Sequence, residues 1–264
     1  MKINNITILM ILLLIIGQSS LLAMQSDISF EARSKGDTMK LYISNPKPYA
    51  QTVSLKLAYS KMKLDGELKE FIVVPPNTDN FVAAKFFMED IAASKLNWAG
   101  SQYFMGDIYA KHDDEYVYSL PYRKGDSYKI ITPNNAENYF LLIGMSEGTP
   151  IRAARDGEVL LVRSDSETGC AVVDCAKFAN YIIIRHSDGT MALYSHLRKN
   201  GVDVKVGDLV KAGDYIGSSG NTGWSKSPRL RFEVFKGNKT IETKFRLSKK
   251  STGYIENGMK YKSR

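Results

Sequence analysis

A chain of 264 residues holds one large or two modest domains, and 44% hydrophobic with 24% charged residues is ordinary globular usage, outside the disordered and fibrous classes. The net charge of +8 favours an anionic partner: nucleic acid, anionic lipid or an acidic envelope polymer.

The N-terminus narrows that choice. Lys2 is the only charge before an apolar run over 6–16, and Gly17, Gln18, Ser19 and Ser20 lead to Leu21-Leu22-Ala23. A charged start, a short apolar stretch and a small-residue end read as a secretory signal peptide over residues 1–23. The run is shorter than the roughly 20 residues a membrane span needs, although an uncleaved anchor is the alternative. No cysteine follows it as a lipid-attachment site, and no second span appears. The expected destination is the periplasm, cell envelope or extracellular space, with no membrane span after cleavage. An exported protein does not ordinarily meet nucleic acid, so the basic charge points to an envelope polymer.

Residues 24–118 read as one β-sandwich-like domain. Short alternating segments recur at 28–33, 39–43, 52–58, 70–74, 81–87 and 102–110, separated by turn residues such as Asp65-Gly66 and Pro75-Pro76-Asn77. Residues 89–96 could add one or two helical turns. His112 stands beside Asp113, Asp114 and Glu115 and reads as part of a solvated acidic turn. Residues 120–125 look like a linker into a second domain, 119–264, with its core at 148–235.

That second domain also reads as all-β, with turns every 8–12 residues. Segments 149–154 and 158–163 around Asp156-Gly157 predict a hairpin, and 180–186 with 190–197 around Ser187-Asp188-Gly189 predict another. The stretch GSSGNTGWSKSPRLRFEV, 217–234, is a Gly/Ser-rich loop followed by a strand. Alternation puts Arg229, Arg231 and Glu233 on one face of that strand and Leu230, Phe232 and Val234 on the other. The basic tail from Lys244 reads as one more strand region and a solvated end. Cys170 and Cys175 are the only cysteines. In an oxidising compartment they are expected to pair; two free thiols or a metal pair are the alternatives, and no His or Cys lies nearby to complete a zinc site.

Residues 148–234 resemble the lysostaphin-type (LytM-like) zinc endopeptidases of bacterial peptidoglycan. The matching segments are GTPIRAARDGEV, ANYIIIRHSDGT, LYSHL, VKVGDLVKAGDYIGSSGNTG and PRLRFEV, in the family's order. LPYRKGDSYKI and KFRLSKKSTGYIENGMKYK extend the likeness to a subgroup with an N-terminal β-domain. The resemblance implies a zinc held by three protein ligands, with a water at the fourth position. Its His-x-x-x-Asp ligands fall on Asn138 and Leu142 in this chain. Its His-Leu-His motif falls on Arg229, in place of the base, and Arg231, in place of the third ligand. His196 matches the His of the Tyr-x-His-Leu motif, and His186 matches a non-ligand position.

Leucine has no donor atom and arginine stays protonated, so the resemblance implies a family member without zinc and without catalysis. Two readings of the arginines stand side by side: drift after loss of activity, or an anion site in the old groove formed by Arg229 and Arg231 with His196 and Asn138. His196 could equally be a structural histidine. The expected partner is peptidoglycan or another anionic envelope polymer, with a cell-wall hydrolase as a possible protein partner. The alternatives are an active metalloendopeptidase with unorthodox ligands and a structural envelope adaptor.

Overall fold

The structure is a computed structural model that describes residues 27–133 and 138–264; the leader expected over 1–23 lies outside them. Among the described residues the fold is all-β apart from one short 3-10 helix at Val173–Phe178. Among the described residues no helix is long and apolar enough to cross a membrane.

The first body contains seven strands: β1 (Ser29–Lys35), β2 (Thr38–Asn45), β3 (Gln51–Ser60), β4 (Met62–Leu64), β5 (Phe71–Val74), β6 (Thr78–Met88) and β7 (Lys95–Met105). They form two antiparallel sheets, ordered β1-β2-β6-β4 and β5-β3-β7. Leu41, Ile43, Phe86 and Met88 of the first sheet meet Val53, Leu55, Ile72 and Val74 of the second in one buried cluster. This is the sandwich that the alternation predicts. Residues 89–94 make a single turn, closed by the Ser94 amide on the Asp90 carbonyl at 2.8 Å and by the Asp90 carboxylate on the Ala92 and Ala93 amides.

The second body begins with β8 (Val117–Tyr118), β9 (Ser127–Ile131), β10 (Leu141–Gly144), β11 (Pro150–Arg152), β12 (Gly157–Arg163) and β13 (Gly169–Cys170). It continues through β14 (Asn180–Arg185), β15 (Met191–Val202), β16 (Leu209–Val210), β17 (Tyr215–Ser219) and β18 (Gly223–Trp224). It ends with β19 (Arg229–Lys236), β20 (Lys239–Ile241), β21 (Lys244–Arg246), β22 (Thr252–Gly253) and β23 (Lys260–Lys262). The main sheet runs β16-β12-β14-β15-β19-β10-β9-β23.

Ile182, Ile183 and Ile184 are consecutive and all fully buried, which requires both faces of the sheet to be covered. Ile182 and Ile184 join Tyr194, Phe232 and Phe245 in the principal core. Ile183 points the other way, with Leu193, Met191 and Phe235, and there Tyr49 and Met105 of the first body close over it.

The 180–197 hairpin forms as expected, with Arg185 opposite Met191. The hairpin expected at Asp156-Gly157 does not form. β11 pairs with β17, while β12 pairs with β14 and β16. The Asp156 carboxylate accepts the Ala212 amide at 2.7 Å, and Ala153 exchanges backbone bonds with Gly213 and Asp214, so the chain is drawn to the 211–214 turn. The tail is not a solvated end either: β23 pairs with β9, the Tyr122 hydroxyl donates to the Tyr261 carbonyl at 2.7 Å, and Ser263 is buried. Cys170 and Cys175 form a disulfide.

Candidate functional site

β10, β19 and β15 lie side by side, and their register sets Leu142 opposite Arg231 and Arg231 opposite Ser195; Gly144 faces Arg229. Directly opposed residues of antiparallel strands share a face. Leu142, Arg231 and Ser195 therefore form one row across three strands. Asn138 is half-buried in the segment entering β10, and no hydrogen bond among the described residues joins it to the arginines or His196.

The two arginines are not equivalent. Arg231 donates from Nη2 at 2.6 Å and from Nε at 3.1 Å to Oε2 of Glu233, its same-face neighbour two residues on. Its guanidinium also lies 3.9 Å from the centre of the Phe140 ring. The Glu233 side chain is 1% exposed, and a carboxylate so buried needs a cation beside it. Arg231 is thus the internal counter-ion of Glu233, which alters the expected picture of two open guanidiniums. Arg229 folds onto its own loop instead, donating to the Ser227 carbonyl and hydroxyl, each at 2.8 Å. Burial pulls its pKa down, and no acidic group acts in the opposite sense.

His196 is the extra residue of a β-bulge. Tyr181 pairs with Ser195 and Asn180 with Leu197, leaving His196 between them at φ 68°. A left-handed backbone at a non-glycine residue costs about 1–3 kcal/mol, and bulges beside sites re-aim side chains. Here the bulge carries the ring to the Thr222 carbonyl, 2.8 Å from Nδ1. A carbonyl only accepts, so Nδ1 carries the proton and Nε2 holds a lone pair in the neutral ring. Burial, joined by the positive charges of Arg231 and Arg229, pushes the His196 pKa down to about 4. The ring is therefore neutral at pH 7. Gly220 lets the following loop pass within contact of this bulge: a Cβ there would lie 2.3 Å from the Arg198 nitrogen.

Beside Thr222 opens a cleft of about 360 Å³ lined by Glu147, Glu167, Arg198, Lys199 and Asn221, with Lys199 and Glu167 paired at 2.7 Å.

The other two histidines lie apart from these residues, in one buried polar cluster. Arg155 bonds Asp188 at 2.8 Å and the Tyr118 hydroxyl at 3.1 Å, and lies 3.9 Å from the Tyr116 ring centre. His186 packs edge-on against Tyr118 and places Nδ1 2.9 Å from the Asp156 carbonyl. His112, expected in a solvated turn, has a side chain only 7% exposed, beside the Tyr118 hydroxyl and the Asp114 carboxylate. The Tyr118 ring stacks on it.

A three-ligand zinc site needs three lone-pair donors around an open position. Leu142 offers none, both guanidiniums are donors only, and Arg231 is committed to Glu233. His196 supplies the single imidazole here. Among the described residues no group of three His, Cys, Asp or Glu side chains is placed to hold a metal ion. The residues at these positions do not fit the metal. Sequence reasoning placed Glu233 on the arginine face without pairing it; the Arg-x-Glu spacing on one strand face was the available signal. Phe140 and Ser227 carried none.

Residues 138–243 match the model described as Peptidase family M23. Over 114 residues the chain is 38% identical to an uncharacterized metalloprotease of Buchnera aphidicola, covering 43% of this chain and 27% of that protein. Over 106 residues it is 34% identical to the peptidoglycan DD-endopeptidase ShyA of Vibrio cholerae, covering 40% and 21% respectively. The chain thus spans about a quarter of the length of these curated relatives. Among solved structures, the catalytic domain of the antimicrobial peptidase lysostaphin from Staphylococcus simulans is 34% identical, with 44% of this chain and 81% of that one covered and a TM-score of 0.30. Residues 138–243 of this chain are thus similar to peptidase family M23.

Proposed function

We propose that this is an exported, non-catalytic cell-envelope protein whose M23 domain binds peptidoglycan through an anion site centred on Arg229. The observation that carries the reading is the state of Arg229: a partly desolvated guanidinium, held by neutral groups, with no carboxylate opposing the burial. Such a cation is costly to keep and gains most from an incoming anion. Neutral His196 lies within the field of both arginines and offers a lone pair to a hydroxyl or amide donor of the same ligand. Stem peptides of peptidoglycan carry free carboxylates, and the relative from Vibrio cholerae is named for peptidoglycan cleavage. Zinc has no role in this reading, because Leu142, Arg229 and Arg231 stand where the family's donors are expected. Regulation of a true hydrolase is the wider role that such binding would serve.

The test is a pull-down of the mature chain on purified sacculi, with metal analysis of the same preparation. Arg229→Ala is expected to weaken binding about tenfold, the loss of one charge-assisted contact. Unchanged binding overturns the anion site. Near-stoichiometric zinc with chelator-sensitive cleavage of the sacculi overturns the non-catalytic reading.

A further inference from the structure

We infer that Trp224 and the disulfide loop beside it form a stacking platform for a pyranose ring, with Asn221 and the adjacent cleft reading the polar edge of an N-acetylated sugar. The inference rests on the envelope-polymer reading above but concerns a different ligand part and different residues.

Trp224 is 46% exposed, one of two tryptophans in the chain, and its ring is not free to move. Its indole Nε1 donates to the Ala171 carbonyl at 3.0 Å. Its backbone is paired in parallel with Cys170, and the neighbouring Gly223 and Ser225 amides bond Thr168 and Cys170 at 2.8 and 2.9 Å. Gly223, at φ 77°, is pressed so closely onto Ala179 that a Cβ would lie 2.5 Å from its methyl group. The Cys170–Cys175 disulfide closes the loop that supplies these partners. An exposed aromatic ring held this firmly loses little entropy on binding, which is how a preformed surface gains affinity.

The polar cleft lies close to the platform along the chain: Gly169, next to Cys170, and Asn221 and Thr222, three and two positions before Trp224, line it. Asn221, one of the residues lining the cleft, has a buried Oδ1 without a partner among the described residues. A buried acceptor in that state costs free energy until a donor arrives. The ligand must therefore present a flat apolar face to the indole, an N–H or O–H donor to Asn221, and further polar groups to Arg198, Lys199 and Glu147. A pyranose with an acetamido group has this shape: axial C–H bonds on its faces, and hydroxyls with an amide on its edge. An apolar peptide segment would satisfy Trp224 and leave the charged cleft and Asn221 uncompensated.

Calorimetric titration with the soluble tetramer of N-acetylglucosamine tests this on the mature chain. The wild type is expected to bind, Trp224→Ala to lose about tenfold in affinity, and Trp224→Phe to stay within about threefold, as stacking is retained. Asn221→Ala should weaken binding severalfold. Arg229→Ala should leave oligosaccharide binding unchanged, so failure of the anion site on sacculi and failure of the sugar platform are read separately. No binding by the wild type, or equal binding by Trp224→Ala, overturns the inference. Trp224 is half-exposed, so Trp224→Ala is expected to fold; an unchanged circular dichroism spectrum checks that before affinities are compared.

Discussion

Two buried arginine–histidine clusters sit in the second body and differ in one respect. Around Arg155 the cation meets the Asp188 carboxylate, which also accepts from the Thr190 hydroxyl and amide and from the Asp113 amide. Burial opposes ionisation of Asp188, but these donors outweigh it and hold the carboxyl well below the usual range. Around Arg231 there are two guanidiniums and one buried carboxylate. Each cluster contains a histidine on a backbone carbonyl with a pKa pushed down to about 4, mainly by burial. A buried histidine with a depressed pKa therefore does not mark a site in this protein. Unbalanced charge is what sets the Arg231 cluster apart.

That contrast can be broken most severely at the balanced cluster. Arg155 and Asp188 have side chains only 6% and 12% exposed, so Asp188→Ala leaves a buried cation alone and is expected to destabilise by about 3–5 kcal/mol in urea unfolding. Arg229→Met should change stability little, because the guanidinium is only partly buried, largely screened by solvent and has no counter-ion to leave behind. If Arg229→Met costs as much as Asp188→Ala, the distinction between the clusters is wrong. Glu233→Gln is intermediate, at about 2–3 kcal/mol, since Arg231 loses its partner. The same change frees Arg231, so sacculus binding is expected to tighten severalfold, which no purely structural role for Glu233 would produce. Replacing Cys170 and Cys175 together by serine should cost no more than about 2 kcal/mol, as the loop they close is short.

Acid should weaken both clusters alike. The folded pKa values of His186 and His196, about 4, lie below the ordinary value of 6.5, so the unfolded chain takes up protons first. Stability is then full above pH 6.5 and falls as the pH drops towards 4, with each histidine contributing a slope of at most about 1.4 kcal/mol per pH unit. His186→Gln should remove about half of that slope, measured by unfolding between pH 7 and 4.5. An unaltered slope would show that the histidine is not the titrating group.

Much of this was legible in the residues because alternation and turn chemistry are local. The sandwich of residues 29–105, the hairpin through Ser187-Asp188-Gly189 and the two faces of β19 all follow from period-two patterning. Failures came where a distant group decided the outcome. Asp156-Gly157 has the composition of a hairpin turn, yet the Ala212 amide captures the Asp156 carboxylate and diverts the strand. His112 looked solvated because its sequence neighbours are acidic, but the tyrosine that stacks on it lies six positions on. The bulge at His196 leaves no mark in LYSHL, since an extra residue is defined only against its partner strand. The pairing of Arg231 with Glu233 was within reach of strand periodicity, but the burial that makes it obligatory was not.

The three consecutive isoleucines of β14 carry a consequence for how the molecule comes apart. Ile183 and its neighbours are sealed by Tyr49 and Met105, side chains that arrive from the other body. The two bodies are therefore expected to unfold as one cooperative unit. Severing the chain between β7 and β8 would open an apolar sheet face to water, and its exposed isoleucine, leucine and phenylalanine would act as an adhesive between copies. The first body would then keep the second soluble as well as neighbouring it, and amide exchange at Ile182–Ile184 should quicken when Tyr49 is truncated, in a part of the chain more than 130 positions away in sequence.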